Sequence, residues 1–282
     1  MTGLLHRVRI PFALLALSGW LAPGAQAVCL ENLQGELEQG GLIWGTVAPG
    51  SRVTLDGETL DVLADGTTFA GFGRDAATTA VLVVAGERPC EETLAVSSRD
   101  YKIQRIEGVP QQTVTPSPEH LERIALEQAK VGAAKLKRLS RPDLLQDALD
   151  GFVWPAVGPI SGVYGSQRYY NGEPRRPHYG VDVAVPEGTA VYAPAAGVIT
   201  LAEPDLFFSG GTIILDHGFG LSSSFLHLSA VSVEVGQEVQ TGDAIGEVGA
   251  TGRATGAHLD WRMNWRNQRI DPQLLAPPMP KP

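Results

Sequence analysis

The chain has 282 residues, a length typical of about two domains or of one long all-β unit. Its 33 glycines, 20 prolines and 43% hydrophobic residues favour short strands joined by turns over a helix bundle, and they argue against disorder. The formal net charge of −9 disfavours a general electrostatic hold on nucleic acid, because phosphate binding depends on clustered cations.

Residues 1–27 have the pattern of a secretory signal peptide. They contain no acidic residue, carry Arg7 and Arg9, and continue with an apolar run that ends in small residues at Ala25 and Ala27. The run is shorter than the roughly 20 residues that span a bilayer. The alternative to a cleaved signal peptide is an uncleaved membrane anchor. We therefore predict export to the periplasm or the extracellular space, with no membrane span after signal cleavage.

Residues 28–106 are predicted to form a small antiparallel β-sandwich-like module. Short alternating runs such as SRVTLDGETLDVLADGTTFAGFG are punctuated by Asp-Gly pairs, a pattern typical of strands joined by tight turns. The segment contains no histidine and its carboxylates fall largely in turns, so nothing in it indicates catalysis. We expect a structural module, or one that binds substrate or a protein partner.

The two cysteines of the chain, Cys29 and Cys90, both lie in this module. Because a secretory signal directs the chain to an oxidising compartment, we predict that they form a disulfide. Two thiols packed as small hydrophobic side chains are the alternative. Val28 is not the small residue expected before a lipid-modified cysteine, so the sequence disfavours a lipoprotein.

Residues 107–151 are interpreted as a linker with a helix. The stretch 107–117 is polar and contains proline, and Ser117 followed by Pro118 is typical of a helix start. Apolar residues at helical spacing follow, and Pro142 ends or breaks the pattern. We predict one helix that acts as a spacer, with His120 exposed near its beginning.

Residues 152–275 have the composition of a second β domain, and residues 276–282 form a proline-rich tail. Runs such as TAVYAPAAGVITLAE, GGTIILDHG and LSSSFLHLS indicate short strands divided by glycine and proline. The GEVGATGRATG stretch lacks the lysine and the strand–helix context of a nucleotide-binding loop. The sequence therefore predicts a mainly β protein without a nucleotide fingerprint.

Histidines are concentrated in this second domain, at positions 178, 217, 227 and 258. In RPHYGVDVAVP, His178 lies four residues before Asp182, and valines alternate out of phase with Asp182. The alternation places Asp182 in a strand and His178 on the preceding turn, with Gly180 allowing a bend. An imidazole and a carboxylate brought together in this way suit Zn²⁺, although a simple His–Asp hydrogen bond is the commoner arrangement.

A second pair follows in GAHLDWRMNW, where His258 and Asp260 are two residues apart. In a strand such residues face the same side, so both side chains can reach one site. The segment SSSFLHLS adds His227 in an apolar strand. Each residue alone is more simply a satisfied hydrogen-bonding group, but their joint appearance favours a metal site. His217, in DHG, is interpreted as a structural residue near the core.

The ordered segments HYGVD, DHGFGLSSSFLHLS and GATGRATGAHLDW resemble the LytM/lysostaphin-type zinc endopeptidases, which cut peptide bridges in bacterial peptidoglycan. The resemblance extends over residues 153–272. It implies a C-terminal antiparallel β domain of the LytM type, with His178 and Asp182 as zinc ligands. It also implies that His227 and His258 act beside the metal as catalytic histidines.

One position departs from the family pattern. The second histidine of the family's His-x-His pair, normally the third zinc ligand, is Asp260 here. Zn²⁺ accepts aspartate in catalytic sites with three protein ligands, so the predicted metal set is His178, Asp182 and Asp260. We hypothesise that Arg262, on the same strand face, restores some of the positive field that a second carboxylate removes. In the competing interpretation, Asp260 pairs with Arg262 and the metal site is lost.

The preferred function is a secreted zinc-dependent endopeptidase that hydrolyses peptide cross-links of bacterial peptidoglycan. Its expected cofactor is Zn²⁺, and its expected substrates are peptidoglycan peptides. The alternative is a non-enzymatic, peptidoglycan-binding regulator that uses a degenerate groove to control another cell-wall hydrolase. The predicted architecture is a sandwich-like N-terminal module, a helical linker and a C-terminal LytM-type antiparallel domain.

Overall fold

The structure is a computed structural model in which residues 28–107 and 117–280 are described. The predicted signal peptide at 1–27, most of the polar connector and the last two residues of the tail lie outside the described residues. Strands dominate the described part of the chain, which confirms the prediction of a mainly β protein.

The N-terminal module consists of two small antiparallel sheets. Its strands are β1 (Glu31–Gly35), β2 (Leu42–Thr46), β3 (Arg52–Leu55), β4 (Glu58–Thr59), β5 (Thr67–Gly71), β6 (Thr79–Ala85) and β7 (Cys90–Ala95). One sheet has the order β1-β2-β5 and the other the order β4-β3-β6-β7. Ile43 of the first sheet and Leu55 and Leu82 of the second line the same internal space. The sandwich-like prediction is confirmed.

A disulfide joins Cys29 and Cys90, with their Cα atoms 5.6 Å apart, as predicted. Cys29 precedes the first strand of the module and Cys90 begins β7, so the bond ties the start of the module to the edge of the second sheet. The backbone N–H of Cys29 also donates to the carboxylate of Glu92 on that strand, at 2.9 Å. The start of the described chain is therefore fixed to β7 by a covalent bond and a hydrogen bond.

Strand β8 (Ile103–Ile106) connects the two β regions. It pairs in parallel with β10 (Gln167–Tyr170), which also pairs with β11 (Glu173–Pro174). Sequence analysis grouped residues 103–106 with the N-terminal module, whereas their strand partners lie in the second β region. A strand of four residues with mostly exposed side chains carries no pattern that identifies such a distant partner.

Two helices follow, α1 (Pro118–Leu136) and α2 (Pro142–Asp150). The first confirms the helix start at Pro118. The second was not predicted, because Pro142 was interpreted as the end of a helix, whereas it occupies the first turn of a new one, where proline is tolerated. Leu144 and Leu145 are buried and anchor α2. Within the described residues, no helix combines the length and the apolar character needed to cross a bilayer.

The second β region is built around one large sheet. Its strands are β9 (Ile160–Gly162), β12 (Val181–Val183), β13 (Ala190–Tyr192), β14 (Gly197–Leu206), β15 (Gly210–Asp216), β16 (Leu221–Val231), β17 (Glu238–Val239), β18 (Ala244–Val248), β19 (Leu259–Trp265) and β20 (Gln268–Ile270). The main order is β17-β14-β15-β16-β19-β12-β9, while β18 pairs with β13 and β16, and β20 pairs with β19. All these pairings are antiparallel.

Helix α1 covers the face of this sheet that carries Asp260. Ala134 of α1 and Ile214 of β15 belong to one buried hydrophobic cluster. Ile214 lies opposite Ser224, and Ser224 lies opposite Arg262, two residues beyond Asp260. Because directly opposed residues of antiparallel strands share a face, all of these side chains lie on the same side of the sheet.

The N-terminal module packs directly against the second β region. The rings of Phe69 and Trp265 meet edge to face with their centroids 6.0 Å apart. The guanidinium of Arg99 donates to the fully buried carboxylate of Asp271, which follows β20, at 2.9 Å. Buried hydrophobic residues of both regions belong to one continuous core.

Candidate metal centre and catalytic site

His178 and Asp182 meet at the start of β12. Asp182 is the middle residue of this strand, and its neighbours Val181 and Val183 are fully buried, so the predicted alternation is confirmed. His178 lies just before the strand. Its Nε2 atom is 3.1 Å from Oδ1 of Asp182.

These two atoms are suited to hold a cation. Nε2 of His178 and Oδ1 of Asp182 are both buried, and neither has a hydrogen-bond partner among the described residues. Buried polar atoms without partners are rare, because leaving them unsatisfied costs about 1–3 kcal/mol each. Their separation of 3.1 Å is close to that of two donors that share one zinc ion at about 2.0–2.1 Å. The pair therefore fits a metal ion.

Asp260 completes the group. It lies directly opposite Asp182 in the pairing of β12 with β19, and it is almost inaccessible, with 2% of its surface exposed. One donor atom each from His178, Asp182 and Asp260 lie within 4.8 Å of one another. The structure therefore brings together all three residues that were predicted as metal ligands.

Arg262 is the direct partner of Asp260. Its Nε donates to Oδ1 of Asp260 at 2.9 Å, and its Nη2 donates to Oδ2. Burial alone would raise the pKa of the Asp260 carboxyl, but the adjacent guanidinium holds it below its ordinary value. Asp260 is therefore ionised near neutral pH. A carboxylate has about four lone-pair positions, so this pairing leaves it the capacity to bind a cation as well.

A β-bulge aims His227 at the site. Between the pairs Ile213–Phe225 and Gly211–Leu228, β16 contains one more residue than β15. Leu226 lies opposite Asp260, so simple alternation would turn His227 to the other face of the sheet. Instead, His227 adopts a φ of +67°, and its ring lies 4.9 Å from that of His258. Bulges commonly redirect side chains beside active sites.

Both catalytic candidates present the same nitrogen to the site. Nδ1 of His227 is 2.9 Å from the carbonyl of Thr251, and Nδ1 of His258 is 2.8 Å from that of Gly256. Since a carbonyl only accepts, each Nδ1 carries the proton, and each neutral ring has its lone pair on Nε2. Nε2 of His258 is 3.9 Å from Oδ1 of Asp182. Burial lowers the pKa of His227, which keeps its ring neutral near pH 7.

Two glycines make room for the ligands, and sequence analysis did not assign them this role. A Cβ added to Gly162 on β9 would overlap Oδ2 of Asp182. A Cβ added to Gly180 would lie 2.7 Å from Oδ1 of Asp260, closer than real Cβ contacts. The sequence suggested that Gly180 allows a bend, whereas the structure shows that it allows β19 to approach closely.

The other two histidines of interest are structural. His217 is fully buried, with Nδ1 at 2.8 Å from the carbonyl of Ala196 and Nε2 at 2.8 Å from the hydroxyl of Ser223, as expected of a core residue. Burial lowers its pKa to about 4. His120 is half-buried against the ring of Phe207 rather than exposed, because α1 lies on the sheet instead of projecting from it.

The fold and these residues match a known family. A Pseudomonas aeruginosa protein of known crystal structure, described as a candidate M23 peptidase, has 31% sequence identity and a TM-score of 0.63. The similarity covers 85% of this chain and 95% of that one. The chain belongs to peptidase family M23. The family's sequence model matches residues 176–272, which include every predicted site residue of this M23 chain.

Curated relatives match about half of this chain or less. Peptidoglycan DD-endopeptidase ShyA of Vibrio cholerae is 33% identical over 138 residues, which are 49% of this chain and 32% of the relative. DD-carboxypeptidase/endopeptidase Mpg of Neisseria meningitidis is 37% identical over 122 residues, or 43% of this chain and 28% of the relative. The M23 chain thus spans about a third of the length of these curated relatives.

Proposed function

We propose that this M23 chain is a zinc-dependent endopeptidase that hydrolyses peptide cross-links in bacterial peptidoglycan. The observation that carries the proposal is the approach of two buried, unpartnered donor atoms, Nε2 of His178 and Oδ1 of Asp182, to within 3.1 Å of each other beside Asp260. The names of the relatives, a DD-endopeptidase and a DD-carboxypeptidase/endopeptidase, support the substrate class.

The proposed ligands are His178, Asp182 and Asp260. Arg262 cancels the charge of Asp260, so these four side chains carry one net negative charge, the same as a set of two neutral histidines and one aspartate. The substitution of Asp260 for histidine, together with Arg262, therefore preserves the charge balance of the usual family ligand set. A zinc ion held there would supply Lewis-acid polarisation of the scissile carbonyl and a water nucleophile of lowered pKa.

The two histidines have different roles: His227 carries out the proton transfers, and His258 stabilises the developing negative charge. Neutral His227 accepts a proton from the attacking water through Nε2, because its Nδ1–H is held by Thr251. When the C–N bond breaks, His227 returns that proton to the leaving amine. His258, when it carries a second proton, donates from Nε2 to the oxygen that develops negative charge, while Gly256 fixes its ring through Nδ1.

The proposed site of action is outside the cytoplasm, in the periplasm or the extracellular space. Peptidoglycan lies there, and residues 1–27 have the sequence pattern of a secretory signal. An oxidising compartment is also consistent with the Cys29–Cys90 disulfide.

Digestion of purified sacculi tests the proposed function. We expect the zinc-loaded chain to release soluble muropeptides, and we expect EDTA treatment or His227→Ala to reduce the rate at least a hundredfold. Arg52→Gln is the matched control, because Arg52 is exposed on β3 of the N-terminal module, which contributes no residue to the proposed metal site. Equal release by the EDTA-treated chain or by the His227→Ala variant would contradict the proposal.

The buried ion pair between Asp260 and Arg262 favours a second candidate, the non-enzymatic regulator. If this pair withholds Asp260 from the metal, the groove binds peptidoglycan without cutting it. The chain would then sediment with sacculi and release no muropeptides. In addition, Asp260→Ala would bind zinc as tightly as the wild type. Under the endopeptidase proposal, Asp260→Ala weakens zinc binding in a calorimetric titration.

A further inference from the structure

Beyond the metal centre, two basic side chains share one neutral acceptor. Nζ of Lys135, on α1, lies 3.2 Å from Oδ1 of Asn264, and Nη1 of Arg269, on β20, lies 2.9 Å from the same oxygen. Asn264 is opposite Arg269 in the pairing of β19 with β20 and lies two residues beyond Arg262. The pair of cations therefore belongs to the same sheet face as Asp260.

Carboxylates compensate these cations only weakly in the described part of the chain: Asp260 acts on Lys135 through space, but it is already paired with Arg262. Among the described residues, neither Lys135 nor Arg269 forms an ion pair. Burial, reinforced by the neighbouring Arg269 and Arg262, lowers the pKa of Lys135 well below its usual value. Burial, reinforced by Arg262 and Arg176, also lowers the pKa of Arg269. An anion placed here would relieve a concentration of positive charge that the fold leaves unpaired.

Arg269 opens onto a cleft of about 510 Å³ between the two β regions. Tyr179, the residue after His178, and Trp265 line it on the side of the large sheet, and Phe72 lines it on the side of the N-terminal module. The acidic side chains of this cleft have partners of their own: Asp56 accepts from the amide of Val81, Glu58 pairs with Arg266, and Asp75 pairs with Arg74.

Arg269 is thus a cation of the cleft that, among the described residues, lacks a counter-charge. We propose that Arg269, supported by Lys135, is a specificity-determining residue that binds a free carboxylate of the substrate peptide in this cleft. The inference rests on the proposed function and deepens it, because stem peptides of peptidoglycan carry free carboxylates. The planar guanidinium of arginine is well suited to bidentate recognition of such a group.

The distance along the sheet fits a peptide substrate. Asn264, the partner of Arg269, is four residues from Asp260 on β19, which corresponds to about 14 Å at roughly 3.4 Å per residue. An extended peptide covers that length in about four residues. A carboxylate a few residues from the scissile bond would therefore reach Arg269 while the bond lies at the metal centre.

Peptide binding tests this inference without relying on turnover. The full-length zinc-loaded chain carrying His227→Ala is titrated with a cross-linked stem-peptide dimer and with the same dimer after amidation of its carboxyl groups. We expect the free-carboxylate dimer to bind about tenfold more tightly than the amidated one. Adding Arg269→Gln should remove this preference by weakening only the free-carboxylate dimer, and Lys135→Met should reduce the preference severalfold.

The control variant is Arg52→Gln, which should keep the full preference. Equal binding of the two dimers, or an equal weakening of both by Arg269→Gln, would overturn the inference. If Arg269→Gln fails to fold in a thermal melt, the comparison of the two dimers and the variant Lys135→Met, which replaces a partly buried lysine by an apolar side chain of similar length, still decide it. If the wild-type chain binds the free-carboxylate dimer preferentially but releases no muropeptides, the carboxylate subsite is supported and the endopeptidase proposal is contradicted.

Discussion

Asp260 differs from the other proposed ligands because it has its own counter-ion. The Arg262 guanidinium contacts both of its carboxylate oxygens, whereas Oδ1 of Asp182 has no hydrogen-bond partner among the described residues. Because a guanidinium holds the carboxylate from one side, it fixes the directions in which the remaining lone pairs of the carboxylate point. We expect Arg262 to act as a positioning residue that fixes the orientation of Asp260, as supporting groups do at other metal sites.

A substitution at Gly162 tests whether the position of the Asp182 carboxylate matters for zinc binding. In Gly162→Ala the new Cβ would overlap Oδ2 of Asp182, so the carboxylate would have to leave its present position. We expect zinc affinity, measured by calorimetry, to fall about 10–100-fold, the range found when groups that orient metal ligands are changed. Gly132→Ala on α1, where an added Cβ meets no atom within 4 Å, is the control and should leave zinc affinity unchanged. Unaltered affinity in Gly162→Ala would show that Asp182 is not a ligand.

Asp216 makes folding stability depend on pH. Burial raises its pKa to about 6. The folded state therefore holds the proton more tightly than the unfolded state, so stability falls as pH rises from about 4 to 6, and the loss is complete above that range. Asp216→Asn keeps an oxygen to accept from Gly218 N–H and removes the buried charge.

We expect Asp216→Asn to raise the free energy of unfolding at pH 7.5 by roughly 1–3 kcal/mol, since one pKa unit corresponds to about 1.4 kcal/mol. The gain should vanish below about pH 3, where the native aspartate is protonated in both the folded and the unfolded state. Urea denaturation at the two pH values measures it. A gain of equal size at both pH values would mean that packing, rather than charge, is responsible.

For individual residues, spacing along the sequence predicted which side chains lie together, but the sequence did not predict what surrounds each side chain in the fold. The four-residue step from His178 to Asp182 and the two-residue step from His258 to Asp260 indicated that these side chains can reach one site. The roles proposed for them came from the resemblance to the LytM/lysostaphin-type endopeptidases. The role of Arg269, which forms no ion pair with any described residue, was not predicted, because a local excess of positive charge arises only after α1 and β20 have packed together. The close fit of Gly162 against Asp182 depends on the pairing of β9 with β12. It could not be predicted from the sequence pattern of either strand alone.

Among the elements, β16 shows most clearly where alternation fails. The sequence SSSFLHLS predicted a strand that contains His227, and the strand is present. The bulge that turns His227 toward His258 depends on the register between β15 and β16, and a single strand's sequence does not encode that register. The backbone strain at φ +67° is located where the proposed chemistry occurs, as is common at functional sites.

The disulfide is the element-level feature that the sequence predicted best. Removing it in the double variant Cys29→Ser, Cys90→Ser frees a loop with a sequence separation of 61 residues. We expect a loss of about 4 kcal/mol of stability by loop-entropy reasoning, measured by denaturation of the full chain. Zinc affinity of the folded double variant should stay unchanged, because the bond lies in the N-terminal module. A loss of zinc binding by the folded variant would contradict this separation of roles.

For the molecule as a whole, the two β regions behave as one packed body. The Arg99–Asp271 ion pair and the Phe69–Trp265 contact cross between them, and β8 extends from one region into a sheet of the other. Composition changes along the sequence predicted a module at 28–106 and a domain at 152–275. They could not predict that these two regions pack against each other, because composition does not record which surfaces are buried.

Arg99→Met tests this connection. It leaves the Asp271 carboxylate buried without its partner, and we expect a loss of about 2–4 kcal/mol, somewhat less than for fully buried pairs because Arg99 is partly exposed. If the two regions fold cooperatively, calorimetry should show a single transition in the wild type and a lower or divided one in the variant. An unchanged melting profile would mean that the regions are energetically independent.

The central claim is that His178, Asp182 and Asp260 together hold one zinc ion. The most direct measurement is an anomalous difference map from a crystal of the full chain grown with saturating zinc and collected at the zinc edge. We predict one strong peak, about 2.0–2.2 Å from Nε2 of His178 and from a carboxylate oxygen of each aspartate. An absent peak, or a peak that touches His178 and Asp182 while Asp260 contacts Arg262 alone, would contradict the claim.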